Sequence, residues 1–119
     1  MPITRIPQTL ILAGGLAASA LVFGHHGWSE YDSTKELKLT GTIKASGYEH
    51  PHGHIRLEAG GSTWTAVLAP PSRMEARGLS QSMLKAGNTA TVVGYANRNK
   101  PDEIRAERIT MDGKTVELR

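Results

Sequence analysis

A period-two alternation of apolar and polar residues most constrains what this chain can fold into. From Glu36 onwards, apolar or small residues at positions 37, 39, 41, 43 and 45 alternate with polar ones. Successive residues of a strand point to opposite faces, so this pattern predicts a strand with one buried face. The same alternation at residues 55–58 predicts a second strand.

Turn and capping signals organise the middle of the chain. Gly60-Gly61 predicts a hairpin turn, because both positions can adopt positive φ, and residues 62–68 follow as a β-rich third strand. Ser72 is followed three residues later by Glu75, which forms a capping-box pattern. A short helix is therefore expected to begin at Ser72 and to end near Gly78.

Three further strands complete the predicted fold. Residues 89–95 are β-branched, and the strands predicted at 103–111 and 114–118 are joined by Asp112-Gly113, a strong hairpin signal. The resulting order is three strands, a short helix, then further strands. This order predicts an all-β fold with one short helix, specifically a small OB-fold-like Greek-key β-barrel.

The N-terminus has the pattern of an export signal. An apolar run over about residues 10–23 is too short for a bilayer, which needs about 20 apolar residues, and the segment before it carries one basic residue, Arg5. Small residues suit a signal peptidase, with cleavage after Gly24 or after Ala20. Residues 1–24 are therefore predicted to be a secretory signal peptide, and the mature protein is expected in the periplasm.

The mature chain divides into an N-terminal arm, residues 25–35, and a barrel domain, residues 36–119. Removing the signal takes away only Arg5, which leaves 13 basic and 11 acidic side chains. This small net charge, the export signal and the few aromatic residues argue against nucleic acid, and no membrane attachment is expected after cleavage. The chain has no cysteine, so the domain must be held by its core alone.

A histidine cluster is the first candidate site. All five histidines fall within one short stretch of the chain, at His25, His26, His50, His52 and His54. Imidazole is the commonest protein metal ligand, and a nitrogen-only set favours copper, with zinc or nickel as alternatives. The predicted role is metal buffering or delivery, and the alternative is a polar loop with solvated rings.

Strand geometry limits how these histidines could act together. In an extended strand His50, His52 and His54 would share an outer face, with His50 and His54 roughly 13 Å apart at about 3.3 Å per residue. The expected site is therefore composite: His52 with His54 or His50, completed by His25, with His26 as a further candidate. Methionines at positions 74, 83 and 111 could bind copper(I), but their helical and strand patterns favour packing.

Two other classes of function compete with metal binding. The chain has no recognisable catalytic constellation; Glu49 beside His50 could act as a base, but a solvated loop carboxylate is the simpler interpretation, so no enzyme is predicted. The alternative to metal binding is a metal-independent barrel that binds a ligand or a periplasmic protein partner. Its binding face could be lined by Trp28, Tyr31, Tyr48, Trp64 and Tyr95 with Arg73, Arg77 and Arg98, unless Trp64 and Tyr95 fill the barrel.

An ordered set of short motifs resembles one protein family. The set runs through the mature chain as His25-His26-Gly27, Thr40-Gly41-Thr42-Ile43, Pro51-His52, Trp64, Pro71, Arg77-Gly78, Leu84-Lys85-x-Gly87 and Asp112-Gly113. The chain thus resembles the small exported bacterial proteins grouped as domain of unknown function (DUF) 6152. The resemblance implies an OB-like β-barrel in the periplasm and no established activity.

The resemblance also ranks the histidines. In the family the His-His pair typically follows a small residue at the cleavage point, which favours His25 as the mature N-terminus. The family usually has Asn-Pro-His where this chain has His50-Pro51-His52. The resemblance therefore implies that His25, His26 and His52 belong to the family pattern, whereas His50 and His54 are particular to this chain.

Overall fold

A computed structural model describes residues 27–119 and shows a mostly antiparallel β-sheet with one short α-helix. The predicted signal peptide, residues 1–24, lies outside the described residues. Within residues 27–119, no helix is long and apolar enough to cross a membrane. In chain order the elements are β1 (Tyr31–Gly47), β2 (His54–Ala59), β3 (Ser62–Val67), α1 (Pro71–Ala76), a 3-10 helix (Gln81–Leu84), β4 (Thr89–Asn97), β5 (Glu103–Met111) and β6 (Lys114–Glu117).

The long first strand serves two partners. β1 pairs antiparallel with β4 between positions 31 and 42 and with β2 between positions 42 and 47. β2 pairs with β3, β4 with β5 and β5 with β6, all antiparallel. β3 also pairs in parallel with β5 over residues 65–67. The strand order is therefore β3-β2-β1-β4-β5, with a return from β5 to β3 and β6 added beside β5.

The alternation in the sequence fills the core only in part as predicted, because Ala45 is exposed beyond a register shift that follows Ile43, and Leu37 and Leu39 are half-buried. Ile43, Ile55 and Leu57 are fully buried, and the polar residues beside them, Lys44 and Arg56, are exposed. Removing such apolar side chains from water contributes about 1.5–3 kcal/mol each. The other large core side chains come from the segment between β3 and β4 and from the strands that follow it. They include Leu68, Met74, Leu79, Leu84, Val92, Ile104, Ile109, Met111 and Leu118.

Both predicted two-residue turns are confirmed. Gly60 and Gly61, between β2 and β3, have φ values of 59° and 83°. Asp112 and Gly113, between β5 and β6, have φ values of 50° and 77°. Two successive positive φ values match the right-handed twist of the flanking strands, which is why glycine and aspartate are favoured there.

The start of β1 differs from the prediction. The strand begins at Tyr31 rather than at Glu36, because Tyr31 pairs with Asn97 and a register shift separates this pair from the regular ladder that begins with Glu36 and Tyr95. The shift interrupts the period-two pattern between residues 31 and 36. The sequence pattern therefore places the first five residues of β1 in the arm, whereas the structure places them in the strand.

The predicted capping box is wrong. The helix α1 begins at Pro71, and its N-cap, Pro70, makes no side-chain capping hydrogen bond. Proline suits the first helical position because its fixed φ is helical and its missing N–H would be unpaired there. Ser72 therefore lies inside the first turn, where its hydroxyl cannot serve as the cap. The predicted end of the helix is close, since Gly78 has a φ of 88° and follows the C-cap Arg77.

Candidate functional site

Residues 27–30, the described part of the arm that precedes β1, fold back against the loop after β4. A turn closes where the Tyr31 amide donates to the Trp28 carbonyl at 3.0 Å. The Arg98 amide donates to the Glu30 carbonyl at 2.9 Å. These backbone bonds hold the arm in place, so that the Trp28 side chain lies against Arg105 of β5.

The Trp28 indole is the centre of a cluster of rings and cations. It meets the rings of Tyr31 and Tyr95 edge to face, each with a centroid distance of 6.4 Å. The guanidinium carbons of Arg105 and Arg119 lie over it at 4.4 and 4.3 Å from the ring centroid. Both distances are well within the range of cation–π attraction, which is worth about 0.5–2 kcal/mol depending on exposure.

Arg105 is buried beneath this arm with only 6% of its surface exposed. Its NH1 donates to the Gly27 carbonyl at 3.4 Å and its NH2 contacts Nε2 of His52 at 3.2 Å. Its Nε is buried and has no hydrogen-bond partner among residues 27–119. Burial lowers the pKa of Arg105 from its ordinary value. An unmet buried donor costs about 1–3 kcal/mol, and more when it is charged, so this guanidinium is held at the expense of stability.

The His52 ring is tied to this guanidinium. An arginine can only donate, so Nε2 of His52 must accept from Arg105, and the neutral ring then carries its proton on Nδ1. Burial, and after it the positive charges of Arg105 and Arg73, lower the pKa of His52. His52 is therefore a neutral acceptor in positive surroundings, with its Nε2 lone pair already engaged.

Two further arginines, Arg73 and Arg119, add positive charge near Arg105 and His52. Arg73 of α1 donates to the Leu118 carbonyl at 3.0 Å, and NH1 of Arg119 lies 3.3 Å from Oε1 of Glu107. Over residues 27–119 the ion pairs are Lys44–Glu58, Arg108–Glu117 and Arg119–Glu107. Neither Arg73 nor Arg105 therefore has a carboxylate partner in that part of the chain.

The other predicted histidine ligands lie apart from this cluster or outside the described residues. β2 begins at His54, so His50 and His52 belong to the loop before it rather than to one regular strand face. The His54 ring lies against Gly47 of β1, whereas His52 reaches Arg105 of β5. His50 is exposed. His25 and His26 precede the described residues, within which no three His, Asp or Glu side chains are grouped as a metal site would require.

The structure divides the predicted aromatic face. Trp28, Tyr31 and Tyr95 come together, whereas Tyr48 lies elsewhere and donates to the Leu79 carbonyl at 2.6 Å. The interpretation that Tyr95 fills the interior is wrong, because its ring packs on Trp28 outside the core cluster. Trp64 is half-buried and packs against the core from β3. Of the arginines predicted for this face, Arg73 donates to the Leu118 carbonyl, Arg98 donates to the Ser29 carbonyl of the arm, and Arg77 donates to the carbonyls of Glu117 and Arg119.

Sequence reasoning missed Arg105 and Arg119. The available signal for Arg105 was its place between two apolar residues, Ile104 and Ala106, which puts it on the outer face of a strand. That position predicts exposure for an arginine. The sequence carried no local sign that the arm, 78 residues earlier, would cover it.

The fold is similar to a portion of TiaS, a tRNA agmatidine synthetase. The crystal structure of TiaS in complex with tRNA and ATP matches with a TM-score of 0.52 and 19% identity over 75% of this chain and 20% of that chain. Apo TiaS matches with a TM-score of 0.51 and 20% identity over 74% of this chain and 19% of that chain. This chain thus spans about a fifth of TiaS, and the likeness concerns the fold alone.

Sequence comparison gives the family. No curated protein matches the chain significantly. The model of a family of unknown function, DUF6152, matches residues 12–104, which include the arm, the His50–His54 stretch and the beginning of β5 up to the residue before Arg105. The match covers most of the chain and agrees with the ordered motifs in the sequence, so this protein belongs to the DUF6152 family.

Proposed function

We propose that this chain is an exported, OB-like β-barrel that binds a ligand or a protein partner in the periplasm without a metal ion and without catalysis. The binding centre is the arm-covered cluster, defined as Trp28, Arg105, Arg119, Arg73 and His52. Barrels of this kind commonly present one face to a ligand.

The strand pairings support the OB-like barrel. An OB-fold is a five-stranded Greek-key barrel. Here the pairings run from β3 through β2, β1 and β4 to β5 and return to β3 through a parallel contact at residues 65–67. The helix α1 lies between β3 and β4, where the sequence pattern predicted it. The circuit thus contains the five strands β1 to β5, and β6 lies outside it, paired with β5.

The hydrogen bond between Arg105 and His52 is the observation that carries the metal-independent function. A metal ligand needs a free imidazole lone pair, and Nε2 of His52 accepts from Arg105 at 3.2 Å. Guanidinium groups already surround this position, and their positive charges would repel a divalent cation. Binding a cation there would therefore cost additional electrostatic energy. The same surroundings favour a ligand that is not a cation.

Calorimetric titration of the purified protein with copper(II) and zinc tests this function. We expect the affinity of His52→Ala for either metal to equal that of the wild type within about twofold. If His52 is not a metal ligand, its removal leaves the binding free energy unchanged. His50→Ala is the matched control, since His50 is exposed in the same loop. A loss of about tenfold or more in copper affinity, specific to His52→Ala, overturns the metal-independent function.

The second candidate function is transition-metal binding, with copper first and zinc or nickel as alternatives, at histidines outside the cluster. The placement of His54 favours it. A Cβ at Gly47 would lie 2.9 Å from both Nδ1 of His54 and Oε1 of Glu49, so an imidazole and a carboxylate flank the same backbone position. His25 and His26, the first two residues of the predicted arm, could complete such a set, in which His50 would be a further ligand.

Mass spectrometry and the same titrations test this second function. The intact mass of protein recovered from the periplasm distinguishes cleavage after Gly24 from cleavage after Ala20, and only the former gives His25 a free amine that can chelate. A copper affinity that falls by about tenfold in His54→Ala, as for loss of one ligand, supports the second function. An unchanged affinity in both His54→Ala and His25→Ala excludes it.

A further inference from the structure

Arg105 is the one buried charged side chain among residues 27–119. Buried charges in proteins are normally paired, because an isolated ion loses its hydration without compensation. The two hydrogen-bond partners of Arg105 are both neutral, the Gly27 carbonyl and the His52 ring. Its Nε is left without any partner in the described part of the chain. Its positive charge is therefore not neutralised there.

Two more guanidinium groups add to this charge rather than offset it. Arg105 and Arg119 both lie over the Trp28 ring, at 4.4 and 4.3 Å from its centroid. Arg73 donates to the carbonyl of Leu118, the residue before Arg119, at 3.0 Å. After burial, the positive charges of Arg73 and Arg119 lower the pKa of Arg105 further. The arginine side chains of β5 and of residue 119 thus lie against the Trp28 indole, and that of α1 lies against the adjacent Leu118 carbonyl. Among the three, only Arg119 is paired with a side-chain carboxylate within residues 27–119.

We propose that Arg105, Arg73 and Arg119 form a binding site for an oxyanion, the carboxylate or phosphate group of a small ligand. This inference rests on the proposed function and gives its ligand a chemical class. Guanidinium groups match the planar oxygen pairs of such anions with parallel hydrogen bonds, and those bonds are about twice as strong as neutral ones.

The two neighbouring side chains carry no negative charge that would repel an anion. The His52 ring accepts from Arg105 through Nε2 and is therefore neutral. The Trp28 ring lies over the Arg105 guanidinium, with its centroid 4.4 Å from the guanidinium carbon. Exclusion of water strengthens each charge-assisted contact, because the local dielectric constant is lower than in bulk solvent. Arg119, with 57% of its side chain exposed, leaves the edge of the site open to a ligand.

Titration of the purified protein with inorganic phosphate and with succinate tests the site. Binding is measured by calorimetry and by intrinsic tryptophan fluorescence, to which Trp28 contributes, at constant ionic strength with sodium chloride as the reference. We expect at least one of the two oxyanions to bind and to perturb the fluorescence, while chloride does not. Phosphate binding alone identifies a phosphate-bearing ligand, and succinate binding alone identifies a carboxylate-bearing ligand.

Variants connect the binding to the cluster. Arg105→Gln should weaken the oxyanion by about tenfold or more, the equivalent of one charge-assisted hydrogen bond. Arg73→Gln, which changes an exposed residue and spares the core, should weaken it by about threefold to tenfold. Arg56→Gln is the matched control, because Arg56 is an exposed arginine on β2 that bonds to Thr65 outside the cluster, and its affinity should match that of the wild type.

The outcomes separate this inference from the proposed function. If neither oxyanion binds, or if Arg56→Gln loses as much affinity as Arg73→Gln and Arg105→Gln, the oxyanion site is wrong. The metal-independent function is tested separately by the copper titration of His52→Ala and survives that failure. If copper binding depends on His52, the proposed function falls whatever the phosphate and succinate titrations show.

Discussion

The Tyr31 hydroxyl donates a 2.6 Å hydrogen bond to Oε2 of Glu103, and so joins the beginning of β1 to the beginning of β5. The same carboxylate oxygen accepts from Nδ2 of Asn97 at 3.2 Å. Burial, together with the neighbouring Glu103, raises the pKa of Tyr31 to about 12, so the hydroxyl remains a donor at neutral pH. This contact fixes the residue from which the arm departs towards Trp28.

Replacing Tyr31 by phenylalanine should lower the free energy of unfolding by about 1.5–3 kcal/mol, the range for a hydrogen bond to a charged group. The ring and its contact with Trp28 are retained, so the loss reports the hydroxyl. Urea denaturation followed by circular dichroism measures it. Tyr95→Phe is the control, since Tyr95 packs on the same indole. An equal loss in both variants would contradict the assigned role of the Tyr31–Glu103 bond.

Gly94→Ala should destabilise the protein strongly, because a Cβ at Gly94 would overlap the carbonyl oxygen of Arg105 on the adjacent strand. The overlapping atoms belong to the backbone of β5, beside a register shift in its pairing with β4. Backbone atoms cannot rotate away as the end of a side chain could. We expect a loss at or above the upper end of the usual overpacking range, about 3 kcal/mol.

The comparison variant for Gly94→Ala is Gly113→Ala. Gly113 has a φ of 77° and open space around its Cβ position, so only the conformational strain of about 1–2 kcal/mol applies. Thermal and urea denaturation of both variants separate steric overlap from backbone strain. A loss in Gly94→Ala no larger than that in Gly113→Ala would show that β5 moves away from β4 without cost.

The parts of the fold that the sequence predicted are those determined by near neighbours. Alternation places Ile55 and Leu57 inside, and pairs such as Asp112-Gly113 set their own turn, since each signal is contained within a few residues. The start of β1 was not predictable in this way. Its first pair, Tyr31 with Asn97, depends on a register shift and on a partner strand far along the chain.

The candidate site was less accessible to sequence reasoning for the same physical reason. The histidines are clustered in the sequence, yet His52 and His54 contact different strands. The His52 ring contacts Arg105 of β5, and the His54 ring lies against Gly47 of β1. Arg105 carries no local mark, because its burial arises from Trp28 and Gly27 of the arm. A site built from contacts between distant segments becomes visible only when the strand order is known.

The stability of the protein should depend on the protonation of His52. Burial and the charges of Arg105 and Arg73 hold the folded-state pKa of His52 below its ordinary value. The unfolded chain therefore binds more protons once the pH falls below about 6.5, the ordinary histidine value. The contribution of neutral His52 is complete above that pH and is lost progressively as the pH falls towards the folded-state pKa.

His52→Gln should accordingly flatten the dependence of unfolding free energy on pH below about 6.5, the ordinary histidine value, where the contribution of neutral His52 is lost. A glutamine carbonyl oxygen can still accept from Arg105, so the hydrogen bond is preserved while the titration is removed. Urea denaturation at a series of pH values measures the slope. A wild-type slope in His52→Gln would assign the acid sensitivity to other groups.

Trp28→Leu should release the arm while leaving the sheet intact. The substitution keeps an apolar side chain but removes the aromatic face over which Arg105 and Arg119 lie, and each such contact is worth about 0.5–2 kcal/mol. Arg119→Gln removes only the more exposed of the two cations, so its smaller effect, about 0.5 kcal/mol, is the matched comparison.

Hydrogen exchange followed by mass spectrometry locates the effect of Trp28→Leu. The amides of Tyr31 and Arg98, which donate to carbonyls of the arm, should exchange faster, because the Trp28 ring no longer fixes the arm against β5. Amides in the centre of β5 should keep their protection, since they pair with β4 independently of the arm. Wild-type exchange at Tyr31 and Arg98 in Trp28→Leu would mean that the backbone bonds alone hold the arm, and that the cation–π contacts serve the ligand rather than the fold.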